Sequence, residues 1–128
     1  MTQIHETANA LKEQGERLDW AVLNEVFRGD QQKVDAMLRK FLTVTDGAIR
    51  EIGADIDQRN TDNLAISSHR LKSSALMVGA SMLADICNRL EDASIERDWQ
   101  RITALWPLVA PEMEKVRMLI DAHVKKPD

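Results

Sequence analysis

Residues 65 to 91 read AISSHRLKSSALMVGASMLADICNRLE, and the fold turns on how this stretch is arranged. At about 100° per residue, Leu64, Leu71, Ala75 and Val78 gather on one side of a helix, opposite His69. That apolar side faces a core. His69 faces water, with Asp62, Ala65, Ile66, Lys72, Ser73 and Leu76 around it. A surface helix concerned only with folding usually carries Glu, Lys and Gln there. The helix is expected to run to about Val78, where Gly79 supplies the permissive backbone for a sharp reversal. Ser81 is the expected cap of the following helix, whose inner face is Leu83, Ile86/Cys87, Leu90 and Ala93/Ser94.

Toward the N-terminus, the stripe Val34, Met37/Leu38, Phe41, Thr45, Ala48, Ile52 and Ile56 predicts one long helix over residues 31 to 58. Gly47 and Gly53 lie inside it, each costing about 1 kcal/mol relative to Ala, but the stripe keeps its phase through both. Asp30 caps this helix, and Thr61 or Asp62 is expected to cap the His69 helix. A short helix over about 20 to 27, capped by Asp19, brings Val22, Leu23, Val26 and Phe27 over one bundle end. Ile4, Ala8 and Leu11 predict a further short helix over 3 to 14.

Toward the C-terminus, Asp98 caps a last helix with the stripe Ile102, Leu105/Trp106, Val109, Met113, Val116, Leu119/Ile120 and His123. Pro107 and Pro111 each delete an intrahelical donor. Because the stripe continues in step across both, one kinked helix is expected. Trp20 and Trp106 fit inner faces, and Trp99 stands at a helix start where it covers a bundle end.

Four amphipathic segments joined by short connections predict an all-α, antiparallel up-and-down four-helix bundle with one or two short extra N-terminal helices. The expected organisation is an N-terminal extension over 1–18, the bundle over 19–124 and a solvated tail over 125–128. Only 3 Pro and 5 Gly in 128 residues fit this reading. The formal charge of -4 provides no basic field for a nucleic-acid backbone. A single cysteine, Cys87 on an apolar stripe, reads as a small buried hydrophobe in a reducing compartment. No apolar run approaches the roughly 18 residues of a membrane span, and the first residues are no signal sequence. The expected location is cytoplasmic.

Several chemistries fall away. No Glu-x-x-His pair occurs, and His5, His69 and His123 are scattered, so no metal site is expected. There is no Gly-rich loop for ATP and no nucleophile elbow. His69 remains. Neutral imidazole, with an ordinary pKa of about 6.5, is a nucleophile near neutral pH. Arg70 and Lys72 disfavour further positive charge beside it. Lys72, one turn onward, is either an ordinary solvated lysine or a cation placed to meet an anionic group brought to the ring.

The same residues carry a family likeness. His69-x-x-Lys72, then Gly79 ten residues after the histidine, then Leu83, Cys87 and Leu90-Glu91, resembles the signature of histidine-containing phosphotransfer (HPt) domains. Ser68 stands where that family usually has Ala, and Ser73 where it usually has Gly. The resemblance implies a phosphorelay intermediate. A receiver-domain phospho-aspartate gives its phosphoryl group to His69, which passes it to the aspartate of another receiver. It implies response-regulator receiver domains and a hybrid sensor histidine kinase as partners. It also implies no ATP-dependent kinase activity, no cofactor of its own, Mg²⁺ on the receiver, and a monomer.

Within that reading Lys72 stabilises phosphoryl charge and Ser73 keeps space beside the ring. The Ser73 hydroxyl either bonds the phosphate or is simply a tolerated small side chain. Glu91, 22 residues after His69, either orients the ring or is a plain polar position near a helix end. Ala65, Ile66 and Leu76 are either scattered surface hydrophobes or, being centred on His69, an apolar docking patch for the partner. The alternatives are the phosphate-accepting domain of a chemotaxis-type kinase, whose ATP-binding domain is not expected in a chain of this length, and an unmodified helical scaffold.

Overall fold

Polar caps and apolar stripes divide residues 18–124, the part described by the computed structural model, into five α-helices. These are α1 (Trp20–Val26), α2 (Gln31–Asp57), α3 (Thr61–Met77), α4 (Ser81–Ile95) and α5 (Trp99–Val124). The expected helix over 3 to 14 and the tail over 125 to 128 lie outside the described residues. Helices α2 to α5 form the antiparallel bundle, each packed on the next and α5 closing against α2. Helix α1 crosses one end.

The stripes become the core. Val34, Leu38, Phe41 and Ile52 of α2 meet Leu64, Leu71 and Ala75 of α3, Leu83, Cys87 and Leu90 of α4, and Ile102, Val109, Val116 and Ile120 of α5. Burying each large aliphatic side chain contributes about 1.5–3 kcal/mol, which makes this the main stabilising term. Leu18, at the last position of the expected extension, is also fully buried. Gly53 proves to be a packing position: a Cβ there would stand 3.3 Å from Cζ2 of Trp106.

Caps set the helix starts, with two corrections. Asp30 accepts from the Lys33 N–H and Asp98 from the Arg101 N–H, as expected. Helix α3, however, is capped by Asn60, whose Oδ1 accepts from the Asn63 N–H, rather than by Thr61 or Asp62. Thr61 and Asp62 are already helical, the first two residues of the first turn. Helix α4 starts after Ala80, which makes no side-chain cap; exposed Ser81 is its first helical residue.

Both prolines sit inside a single α5, as expected. The carbonyls they orphan belong to Thr103 and Pro107, both exposed residues, so neither carbonyl is forced into the core without a partner. Val26 departs from expectation: it is 62% exposed, while Leu23 and Phe27 cover the bundle end. Helix α1 is only seven residues long, too short to turn two faces inward. At this end Trp20 stacks on His123, with ring centroids 4.4 Å apart, and His123 also meets Gln31 and Asp35. Trp99 takes its place at the opposite end beneath the Arg59 guanidinium, 4.1 Å from the ring centroid.

Candidate functional site

His69 lies at the middle of α3 with its side chain 57% exposed, opposite the buried Leu64, Leu71 and Ala75. Two features hold α3 firmly under it. Asp55 of α2 is buried and accepts from Asn63 Nδ2 at 2.6 Å and from Ser67 Oγ at 2.8 Å. These bonds fix the register of α3 on α2. On the other side, α3 and α4 run antiparallel from the turn at Gly79 and Ala80. His69 and Glu91 each stand eleven residues from Ala80, and Lys72 and Asn88 each eight. The two helices therefore present these residues to one another in pairs.

The pairing is realised at bonding distance. Glu91 Oε2 lies 3.0 Å from His69 Nδ1, and Glu91 Oε1 accepts from Lys72 Nζ at 2.9 Å. Lys72 Nζ also donates to Asn88 Oδ1 at 3.3 Å. Glu91 is 18% exposed, and its partial burial works against ionisation. The bond and charge of Lys72, and then those of His69, outweigh this and hold the carboxyl below its ordinary 4.5. At neutral pH Glu91 is thus a carboxylate that only accepts. Its contact with Nδ1 requires that this nitrogen carry the ring hydrogen. The lone pair of neutral His69 is then on Nε2, the nitrogen away from Glu91.

This changes the expected surroundings of the ring. Of the two readings of Glu91, the contact with Nδ1 is the ring-orienting one, while the cations expected to disfavour positive charge on the ring are themselves paired. Lys72 is neutralised in part by Glu91, and Arg70 reaches outward to Glu51 at 4.0 Å. Glu91 is no helix end, since α4 continues to Ile95. Ser73 is exposed one turn beyond His69 and sets no bulk beside it. Ile66 and Leu76 are exposed, and Ala65 is half-buried. Ala65, Ile66, Arg70 and Glu91 line an open recess beside the ring. Sequence reasoning missed a second, apolar recess between α2 and α3, lined by Met37, Lys40, Phe41, Val44, Ser74 and Met77. It also missed Asp55 and Asn88. Counting outward from Ala80 was the available signal for Asn88; Asp55 gave none, being one acid in a charged chain.

Two buried groups beneath the site allow predictions. Ser68 is fully buried, and its hydroxyl has no hydrogen-bond partner among the described residues. An unpaired buried hydroxyl costs about 1–3 kcal/mol. Ser68→Ala is therefore expected to raise stability by about 1 kcal/mol in urea denaturation; a loss of stability would mean that the hydroxyl is bonded. For Cys87, burial pushes the thiol up to about 12, against a weaker opposing pull from Lys72. Expected reactivity toward a thiol reagent at pH 8 is negligible when folded and complete in denaturant. Rapid labelling of the folded protein would contradict that burial.

A family model described as the Hpt domain matches residues 36–123, well over half of the chain. Among curated proteins the chain is similar to the phosphorelay intermediate protein YPD1 of Candida albicans, with 26% identity over 78 residues. That match takes in 59% of this chain and 42% of the relative, so the chain spans under half of that protein's length. Among solved structures it is similar to histidine-containing phosphotransfer protein B (HptB) from Pseudomonas aeruginosa PAO1, with a TM-score of 0.82. The identity there is 23%, over 88% of this chain and 97% of that one, a likeness of fold. Among the described residues no helix is long and apolar enough to cross a membrane.

Proposed function

The chain belongs to the Hpt domain family, and from that premise we propose that His69 is the phosphoryl-accepting residue of a phosphorelay intermediate. The observation that carries this is the outward, more than half exposed imidazole whose Nδ1 is held by Glu91, which puts the lone pair of the neutral ring on Nε2. A receiver domain docks over Ala65, Ile66 and Leu76 and presents its phospho-aspartate. Nε2 attacks phosphorus in line; the N–P bond forms as the acyl O–P bond breaks, and the aspartate leaves as a carboxylate. No proton needs to move.

The phosphorylated ring keeps its hydrogen on Nδ1 and becomes cationic, directly against the Glu91 carboxylate. Glu91 thus gains attraction as charge develops, which is the differential stabilisation that favours transfer. Lys72 meets the phosphoryl oxygens, and Ser73 leaves them room. The reverse of these steps passes the group to a second receiver. Mg²⁺ belongs to the receiver and supplies phosphoryl charge neutralisation there. On this reading the domain is a phosphocarrier with no kinase activity or cofactor of its own, acting in the cytoplasm as a monomer beside a hybrid sensor kinase.

Incubation with a receiver labelled on its aspartate tests the reading. Label is expected to move to this chain in an acid-labile, base-stable linkage. Tight binding of the receiver with no transferred label would instead support an unmodified scaffold. Lys72→Ala is expected to slow transfer on the order of tenfold without abolishing it, the loss of one charge-assisted contact. An unchanged rate would remove Lys72 from the reaction.

A further inference from the structure

Lys72 has two acceptors on α4, and they differ in kind. Glu91 is charged and is shared with His69 Nδ1, whereas Asn88 is neutral and bonds only Lys72 among the contacts seen at the site. Asn88 and Glu91 are three residues apart, one turn along the same face of α4. We propose that Asn88 is a positioning residue that keeps the Lys72 ammonium beside His69 when the phosphoryl group arrives and Lys72 exchanges Glu91 for it. This rests on His69 being the phosphoryl acceptor.

Once Nε2 is phosphorylated, the ring is cationic and draws Glu91, while the phosphoryl oxygens repel that carboxylate and attract Lys72. The bond from Lys72 to Glu91 is the one that competes with this exchange. An ammonium has three donors. One can remain on Asn88 Oδ1 while the others turn to phosphoryl oxygens. A neutral acceptor restrains the long side chain without cancelling its charge. A carboxylate at position 88 would compete with the phosphoryl group for the same ammonium. With an apolar side chain at position 88, a lysine that leaves Glu91 would have no second restraint, and its rotamer freedom would be lost at each transfer.

Phosphoramidate is the probe, because it requires no receiver and so leaves docking out. The P–N bond of phosphoramidate breaks as Nε2–P forms; ammonia leaves with the bonding electrons, and Nδ1 keeps its hydrogen. Formation and decay of phosphohistidine are followed by ³¹P NMR in the parent protein, Asn88→Ala, Asn88→Asp, Lys72→Ala and the Lys72→Ala/Asn88→Ala pair. Asn88 is exposed, so all are expected to fold, as checked by circular dichroism. Asn88→Ala is expected to slow formation about three- to tenfold and Asn88→Asp by more. In the Lys72→Ala background Asn88→Ala is expected to change nothing, since its effect acts only through the lysine. An equal slowing in both backgrounds, or none in either, overturns the role of Asn88. Absence of phosphohistidine in the parent protein overturns the acceptor assignment itself, a distinct result.

Discussion

His69→Gln abolishes phosphoryl acceptance and leaves the bundle folded: this is the largest functional effect expected of any single substitution here. Glutamine has no basic ring nitrogen, and its amide lone pair is delocalised, so no nucleophile replaces Nε2. The structural cost is small because His69 is more than half exposed and contributes nothing to the core. Its side-chain bond to Glu91 is a partly solvated pair worth about 0–1 kcal/mol, and the glutamine amide can donate in its place. Transfer from labelled receiver is therefore expected to fall to background while the denaturation midpoint stays near the parent value. A variant that still accepts label at the parent rate would place the phosphoryl group elsewhere.

Gly79→Ala has the largest expected effect on stability. Gly79 has a φ of 74°, where a Cβ costs about 1–2 kcal/mol. A Cβ there would also lie 2.6 Å from Asp19 Cβ, 2.7 Å from its N and 3.0 Å from its Cα. These are mostly backbone atoms, and they cannot simply rotate aside, because the Asp19 N–H donates to Gly79 O at 2.9 Å. Overpacking of this sort adds about 1–3 kcal/mol. The expected loss is about 2–5 kcal/mol in urea denaturation. Gly29→Ala is the control: its φ is 77°, but a Cβ there meets nothing within 4 Å, so only the backbone cost applies. Equal losses at the two positions would mean that Asp19 does not press on the α3–α4 turn.

The contrast between these glycines also shows what a sequence can carry. The need for a permissive residue at position 79 follows from a helical stripe stopping at Val78; the close approach of Asp19, sixty residues earlier, does not. The helices were legible because apolar residues recur at the helical period for four turns or more. Even Pro107 and Pro111 left the phase of α5 intact. The caps were less legible, since Asn60, Thr61 and Asp62 are adjacent and chemically alike. Only backbone placement chooses Asn60. At the site, the outward direction of His69 was a local property and could be computed. Its bond to Glu91 was tertiary, and so was the diversion of Lys72 to Glu91 and Asn88. Asp55 shows the limit most clearly. Nothing in its neighbours along the chain distinguishes it from a solvated acid, yet it is buried between Asn63 and Ser67 and sets how α3 lies.

The nitrogen that accepts the phosphoryl group is the most direct test of the account, because one contact, Glu91 on Nδ1, decides it. With ¹⁵N-labelled histidine and chemically phosphorylated protein, nitrogen–phosphorus couplings identify the bonded atom. Phosphorus is expected on Nε2 of His69 with the hydrogen retained on Nδ1. Phosphorus on Nδ1, or on no nitrogen of His69, would contradict it.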